Sequence, residues 1–222
     1  MSEDKRPQDI TGHALETIRR WLESGSVDAN DIADLPWYVE QTGDDALIAI
    51  NPLVPVSLLI RFFPEIKVVR IIAHTSVYTA DLEPEKKLRL YRYLLRRNLM
   101  PLAKTVVDYD NGEVAVMADL STVSISEEEF NKALANVLSL VVDLFRRVGV
   151  PREVKEEAVV NLALFIMNWH KKGMSEEALA RLLEKAGMKR EEALEVIESI
   201  ISREEAGGEE KREDRSGETL YI

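Results

Sequence analysis

The sequence contains no cysteine among its 222 residues. Disulfide bridges, thiolate nucleophiles and cysteine-based zinc or iron–sulfur sites are therefore excluded. Histidine occurs only three times, at His13, His74 and His170, and none of the three stands in a metal-ligand spacing. Glycine-rich phosphate loops and the G-x-S-x-G elbow of hydrolases are also missing. We therefore predict a protein that is not an enzyme, with no catalytic residues, no metal and no cofactor.

The sequence also lacks any apolar run that approaches the roughly 18 residues of a membrane span. The most apolar stretch, around residues 137–145, is interrupted by Asp143, and the first residues are too polar for a signal peptide. These features predict a cytoplasmic protein with no membrane partner.

Charge of one sign predominates, since 40 acidic residues against 29 basic ones give a formal net charge of −11. Such a chain repels phosphate backbones as a whole, so nucleic-acid binding would require a local basic patch. The composition is 45% hydrophobic and 31% charged, which is enough to form a core. Many charged residues together with no cysteine also resemble a thermophile composition.

Hydrophobic periodicity alternates between the helical and the strand type along the first 149 residues and is helical afterwards. We predict an α+β domain at 1–149, in which an antiparallel sheet is flanked by helices, a small helical domain at 150–203 and a flexible acidic tail at 204–222. The predicted helices are 9–24, 84–99, 126–148, 152–170, 175–186 and 189–203, and the predicted strands are 37–41, 46–50, 56–63, 68–78, 105–109 and 113–120.

The segment Asp108-Tyr109-Asp110-Asn111-Gly112-Glu113 has the acids and the glycine of a calcium-binding loop. In the EF-hand pattern, however, glycine occupies the sixth position, whereas here it stands fifth, and strands rather than helices flank the segment. We interpret the acids as the solvated tip of a hairpin. Asn-Gly is the pair favoured in a type I′ turn, because both of its positions accept positive φ.

The order of elements around this hairpin is distinctive. The stretches LYRYLLRRN (90–98), VVDYDNGEVAVMADL (106–120) and SISEEEFNKAL (124–134) follow one another as helix, hairpin and helix start. Over about residues 9–148 this arrangement resembles the YbjN family, whose fold is similar to that of type III secretion chaperones. The resemblance implies a protein-binding, chaperone-like and often dimeric protein, and it implies no catalytic residues.

Residues 86–107 contain no acid and seven bases, which is unusual in so acidic a chain. We place Arg89, Arg92 and Arg96 on one face of the helix, with Tyr93 near it, opposite a stripe of Leu88, Tyr91, Leu95 and Leu99. The five candidate binding residues are Arg89, Arg92, Tyr93, Arg96 and Arg97. The alternatives remain open: these residues bind nucleic acid, a phosphate ligand or an acidic partner, or they form a solvated face that pairs with acids elsewhere in the chain, such as those of the tail.

The helices predicted at 126–148 and 152–170 are apolar over much of their circumference and need cover on several sides. Either the C-terminal helices supply that cover or two chains share it, and we favour a homodimer. The final Leu220, Tyr221 and Ile222 follow a polar segment and are candidates for docking into a groove or onto a strand. The leading hypothesis is an adaptor that binds protein partners through apolar helix and sheet surfaces.

Overall fold

The computed structural model describes the backbone of residues 7–216 and the side chains of residues 13–204. Its six strands form one antiparallel sheet in the order β1-β2-β3-β4-β6-β5. The predicted α+β fold, an antiparallel sheet flanked by helices, is confirmed. The strands are β1 (Tyr38–Gln41), β2 (Ala46–Ile50), β3 (Leu58–Phe63), β4 (Val68–Tyr78), β5 (Lys104–Val107) and β6 (Glu113–Ser121). The helices are α1 (Pro7–Glu23), α2 (Pro84–Arg97), α3 (Glu127–Val148), α4 (Arg152–Lys171), α5 (Glu176–Lys185) and α6 (Arg190–Ser216), and a short 3-10 turn spans Ile32–Asp34.

The inner face of the sheet forms the main core together with α1 and α3. Alternation along the central strand places Val69, Ile71 and Ala73 on this face, each fully buried. Helix α3 lies across them and begins at Ser126, whose Oγ accepts a hydrogen bond from the backbone N–H of Glu129 at 3.2 Å. The first of the apolar helices is therefore covered by its own sheet.

The C-terminal helices build a second apolar cluster around Phe165, Leu182 and Ile197. This cluster also includes Leu35, from the connection between α1 and β1, whereas Trp37, two residues later, belongs to the main core. The chain thus supplies its own cover for part of α4. The division of the chain at about residue 149 and the separate tail stay predictions.

The hairpin between β5 and β6 has a four-residue tip rather than the predicted type I′ turn. Its strands close at Asp108 and Glu113, and only Gly112 in the tip has positive φ, at 73°. The Asp108 carboxylate accepts hydrogen bonds from the N–H groups of Asp110 and Asn111 at 2.8 and 3.2 Å. The two-residue interpretation was wrong because this carboxylate stabilises a longer turn that leaves Asn111 with ordinary backbone angles.

Candidate protein-binding surface

Helix α2 packs on the domain through only one of the two rows of leucines in its sequence. Leu90 and Leu94 are 4% exposed and form part of the main core. Leu88, Leu95 and Leu99 are 51%, 71% and 85% exposed. The leucine stripe identified in the sequence therefore lies on the outer side of the helix.

Arg92 and Arg96 of α2 lie beside this exposed stripe, so the predicted arrangement on opposite faces was wrong. At 100° per residue, Arg92 follows Leu88 by about 40° around the helix axis, and Arg96 follows it by about 80°. Both arginines are exposed. One outward surface, which we call the α2 face, therefore combines apolar and cationic side chains: Leu88, Arg89, Arg92, Leu95, Arg96 and Leu99.

Two of the five predicted binding residues serve instead to attach α2 to α3. Arg97 forms an ion pair with Asp143 at 2.5 Å. The ring of Tyr93 lies between two guanidinium groups, with that of Arg97 at 5.4 Å and that of Arg147 at 5.0 Å from the ring centroid. Such cation–π contacts fix the angle of the helix, and they leave Tyr93 and Arg97 engaged within the fold.

The other three arginines keep their charge available. Arg89 reaches Glu85 at 3.6 Å, in a pair whose two side chains are 73% and 87% exposed. Arg92 and Arg96 form no ion pair with any carboxylate among the side chains that the structure describes. Exposed pairs of this kind contribute little to stability, so these charges remain ready for a ligand.

The position of α2 is fixed at its C-terminal end by Asn98. Its side-chain amide donates to the carbonyl of Thr105 at 3.0 Å, and its Oδ1 accepts from the backbone N–H of Thr105 at 2.6 Å and from the Thr105 hydroxyl at 2.8 Å. These bonds join the end of α2 to the start of β5. They hold the C-terminal end of the helix against the edge strand of the sheet.

A groove opens beside the end of α2, between the 3-10 turn and the N-terminal half of α3. Its volume is about 930 Å³, and the α2–β5 connection supplies Pro101 and Leu102 to its lining. Its other apolar lining comes from Ala33 and Ala135. The acids of the groove outnumber its single lysine, Lys132, and they are Asp31, Asp34, Glu127 and Glu128. Nothing in the sequence indicated this groove, because its three segments lie far apart along the chain.

A sequence model of the family described as a domain of unknown function, DUF8183, matches residues 17–148. The chain belongs to this family. The match covers the whole sheet, α2 and α3, and hence both the α2 face and the acidic groove. No curated protein matches the chain.

Three solved structures similar to this DUF8183 protein are protein complexes, two of them from type III secretion. The ExoU–SpcU complex of Pseudomonas aeruginosa has 13% identity and a TM-score of 0.35, and the match covers 50% of this chain and 80% of that chain. The ExsC–ExsE complex has 13% identity and a TM-score of 0.33, with 68% of this chain and 98% of that chain covered. The Yersinia pestis chaperone SycH with a fragment of YscM2 has 17% identity and a TM-score of 0.35, with 60% of this chain and 98% of that chain covered. With TM-scores below 0.5, these similarities carry no argument about function. Membership of the YbjN family stays a prediction.

The outer face of the sheet in the DUF8183 region carries a second, less exposed apolar surface. Strand register aligns Ile48, Leu59, Ile72 and Met117 in one row across β2, β3, β4 and β6. All four are half-buried and belong to neither apolar cluster. Ion pairs flank the row, including that of Arg70 with Asp119 at 2.5 Å.

Asp119 is held between two cations on this outer face. Its carboxylate accepts hydrogen bonds from Arg70, at 2.5 and 3.0 Å, and from Lys104 at 2.9 Å. The hydrogen bond from the Arg70 guanidinium, together with the bond from Lys104, holds the pKa of the Asp119 carboxyl below its usual value. The carboxylate therefore stays charged and keeps both cations in place.

The remaining sequence candidates are not brought together by the fold. His74 contacts Glu113, with Nδ1 and Oε2 3.2 Å apart, while His13 and His170 lie on α1 and α4. Among the side chains of residues 13–204, no three histidine, aspartate or glutamate residues are grouped as a metal ion would require. No helix within residues 7–216 is long and apolar enough to cross a membrane. The predicted docking residues Leu220, Tyr221 and Ile222 lie outside the described residues.

Proposed function

We propose that this DUF8183 protein is a non-enzymatic, chaperone-like adaptor, and that its α2 face binds a partner segment carrying both apolar and acidic side chains. The observation that supports the proposal is the exposure of Leu95 and Leu99, at 71% and 85%, beside Arg92 and Arg96. Leu90 and Leu94 hold α2 on the core. Exposed leucines grouped on the other side of such a helix indicate a surface that a partner covers.

The mixture of side chains distinguishes a protein partner from a nucleic acid. A phosphate backbone uses lysines and arginines and gains little from aliphatic side chains. An amphipathic protein helix uses both, since its apolar side chains contact the leucines and its carboxylates pair with the arginines. The α2 face therefore favours an acidic amphipathic helix over nucleic acid, which was the alternative in the sequence analysis.

Fluorescence anisotropy with the full-length chain tests the proposal. The first probe is a labelled 18-residue peptide of leucine and glutamate at amphipathic helical spacing, the second is the same peptide with its order scrambled, and the third is a single-stranded oligonucleotide. The variant Leu95→Gln/Leu99→Gln removes the apolar component, and Arg92→Glu/Arg96→Glu reverses the charge. The leucine variant should weaken binding of the ordered peptide about tenfold or more, because burying one leucine contributes roughly 1.5–3 kcal/mol. The charge reversal should also weaken it, because it replaces attraction to the glutamates of the peptide with repulsion.

Matched controls come from α4, where exposed residues of the same kinds occur away from α2. Val159→Gln/Val160→Gln changes two valines that are 70% and 58% exposed, and Arg152→Glu/Lys155→Glu makes the same charge reversal. Neither control should alter the affinity. Equal binding of ordered and scrambled peptides, or equal losses in the α4 controls, would refute a specific α2 face. Oligonucleotide binding that depends on the arginines but not on the leucines would support the nucleic-acid alternative instead.

A further inference from the structure

The acidic groove has the chemistry that the proposed partner of the α2 face requires. Its apolar lining of Ala33, Pro101, Leu102 and Ala135 is bordered by four carboxylates. The α2 face has the complementary composition, with exposed leucines bordered by exposed arginines. Opposite charge around apolar centres is the usual pattern of two surfaces that associate specifically.

We infer that the partner of the α2 face is the acidic groove of a second copy of this chain, an inference that rests on the proposed function. Arg92 and Arg96 of one copy then face Glu127 and Glu128 of the other, and the exposed leucines lie against the apolar lining. The chain carries both halves of the contact.

In the proposed dimer, the twofold axis lies at the connection between the two surfaces. The groove begins where α2 ends, because Leu102 lines the groove only three residues after Leu99, and these two side chains are 45% and 85% exposed. With the axis at this connection, each α2 lies over the groove of the other copy, and the two α2 helices run in opposite directions. A twofold contact of this kind closes into a dimer, whereas a contact without such an axis would continue into longer assemblies.

Charge argues against the simpler dimer in which the two α2 helices pack on each other. Residues 86–107 contain seven bases and no acid, so that arrangement would bring arginines of like charge together. Packing α2 into the groove pairs those arginines with carboxylates instead. Association should consequently weaken as the salt concentration rises, because exposed charges are screened.

A charge-swap experiment with the full-length chain tests the inference. Light scattering coupled to size-exclusion chromatography is applied to the wild type, to Arg92→Glu/Arg96→Glu, to Glu127→Arg/Glu128→Arg and to an equimolar mixture of the two variants. We expect the wild type at twice the mass of one chain and each variant alone as a monomer. The mixture should restore the dimer, since both contacts then again join opposite charges. The α4 variant Arg152→Glu/Lys155→Glu should remain dimeric, and circular dichroism checks that every variant is folded.

The result separates this inference from the proposed function on which it rests. A wild type that is monomeric and still binds the acidic peptide refutes the dimer and retains the adaptor. A monomer that does not bind the peptide refutes both. A dimer unaffected by either charge reversal, a mixture that fails to associate, or assemblies larger than a dimer would overturn the twofold arrangement.

Discussion

Leu94 and Leu95 are adjacent in α2, and replacing each with alanine should give opposite results. Leu94 is 4% exposed and belongs to the main core, whereas Leu95 is 71% exposed on the α2 face. Leu94→Ala should therefore destabilise the fold and leave the chemistry of the α2 face unchanged. Leu95→Ala should leave stability nearly unchanged and weaken binding of the acidic peptide.

The magnitudes follow from burial. Removing a fully buried leucine costs about 2–5 kcal/mol, as the sum of the lost transfer free energy and the cavity left behind, and we expect about 3 kcal/mol for Leu94→Ala. Leu95 is already 71% exposed to solvent, so Leu95→Ala loses at most about a third of the transfer free energy of a buried leucine. Alanine also has the higher helix propensity, and the net change for Leu95→Ala should stay within about 0.5 kcal/mol.

Urea denaturation followed by far-ultraviolet circular dichroism measures both changes in the free energy of unfolding, at a chain concentration low enough for the wild type to be monomeric by light scattering. The two variants differ from the wild type by the same three carbon atoms, so each serves as the control of the other. Similar losses of stability in both variants would refute the orientation of α2 described above. A larger loss for Leu95→Ala than for Leu94→Ala would show that the stripe of Leu88, Leu95 and Leu99 packs inward, and the α2 face would then not exist.

Two further predictions concern the polar groups that position these surfaces. Asn98→Ala removes three hydrogen bonds to Thr105 and should lower the free energy of unfolding by about 2 kcal/mol in the same urea assay. Asn98→Asp keeps the acceptor oxygen and should lower the free energy of unfolding by less. Equal stability of the wild type and both variants would contradict the role of Asn98. Asp119→Asn should cost about 1 kcal/mol at neutral pH, since the lowered pKa makes the charged carboxylate stabilising above the unfolded-state pKa. The stabilising contribution of the charged carboxylate disappears as the pH falls below about 4 and through the lowered pKa. The free energies of unfolding of the wild type and of Asp119→Asn should therefore converge at low pH. A difference between them that is independent of pH would exclude the ion pairs with Arg70 and Lys104 as its cause.

Most elements could be predicted because the period of the hydrophobic pattern and the cap and turn residues between elements indicated the same boundaries. The structure places β2 and β4 at the predicted boundaries, 46–50 and 68–78, and α3 begins at the Ser126 cap. In such segments local preference and tertiary packing favour the same structure, so local information is sufficient.

The orientation of α2 could not be predicted, because its sequence has leucines on two sides. Leu90 and Leu94 form one row, and the exposed stripe forms another, so the helical period alone does not decide which row is buried. The decision depends on contacts distant in sequence, such as the ion pair of Arg97 with Asp143. The acidic groove escaped prediction for the same reason, since it exists only where residues 31–34, 101–102 and 126–136 meet.

The connection between α1 and β1 has a consequence for how the molecule unfolds. Ala33 and Trp37 are buried in the core beneath the sheet, while Leu35 between them is buried among the C-terminal helices. Val154 shows the reverse arrangement, since it belongs to the C-terminal helix α4 but is buried in the core of the sheet. Separating the two apolar clusters would expose buried side chains of both, so local unfolding of either cluster also disrupts the other. In native-state hydrogen exchange the amides of α3 and of α5 should then report one shared opening event, although the family match ends at residue 148.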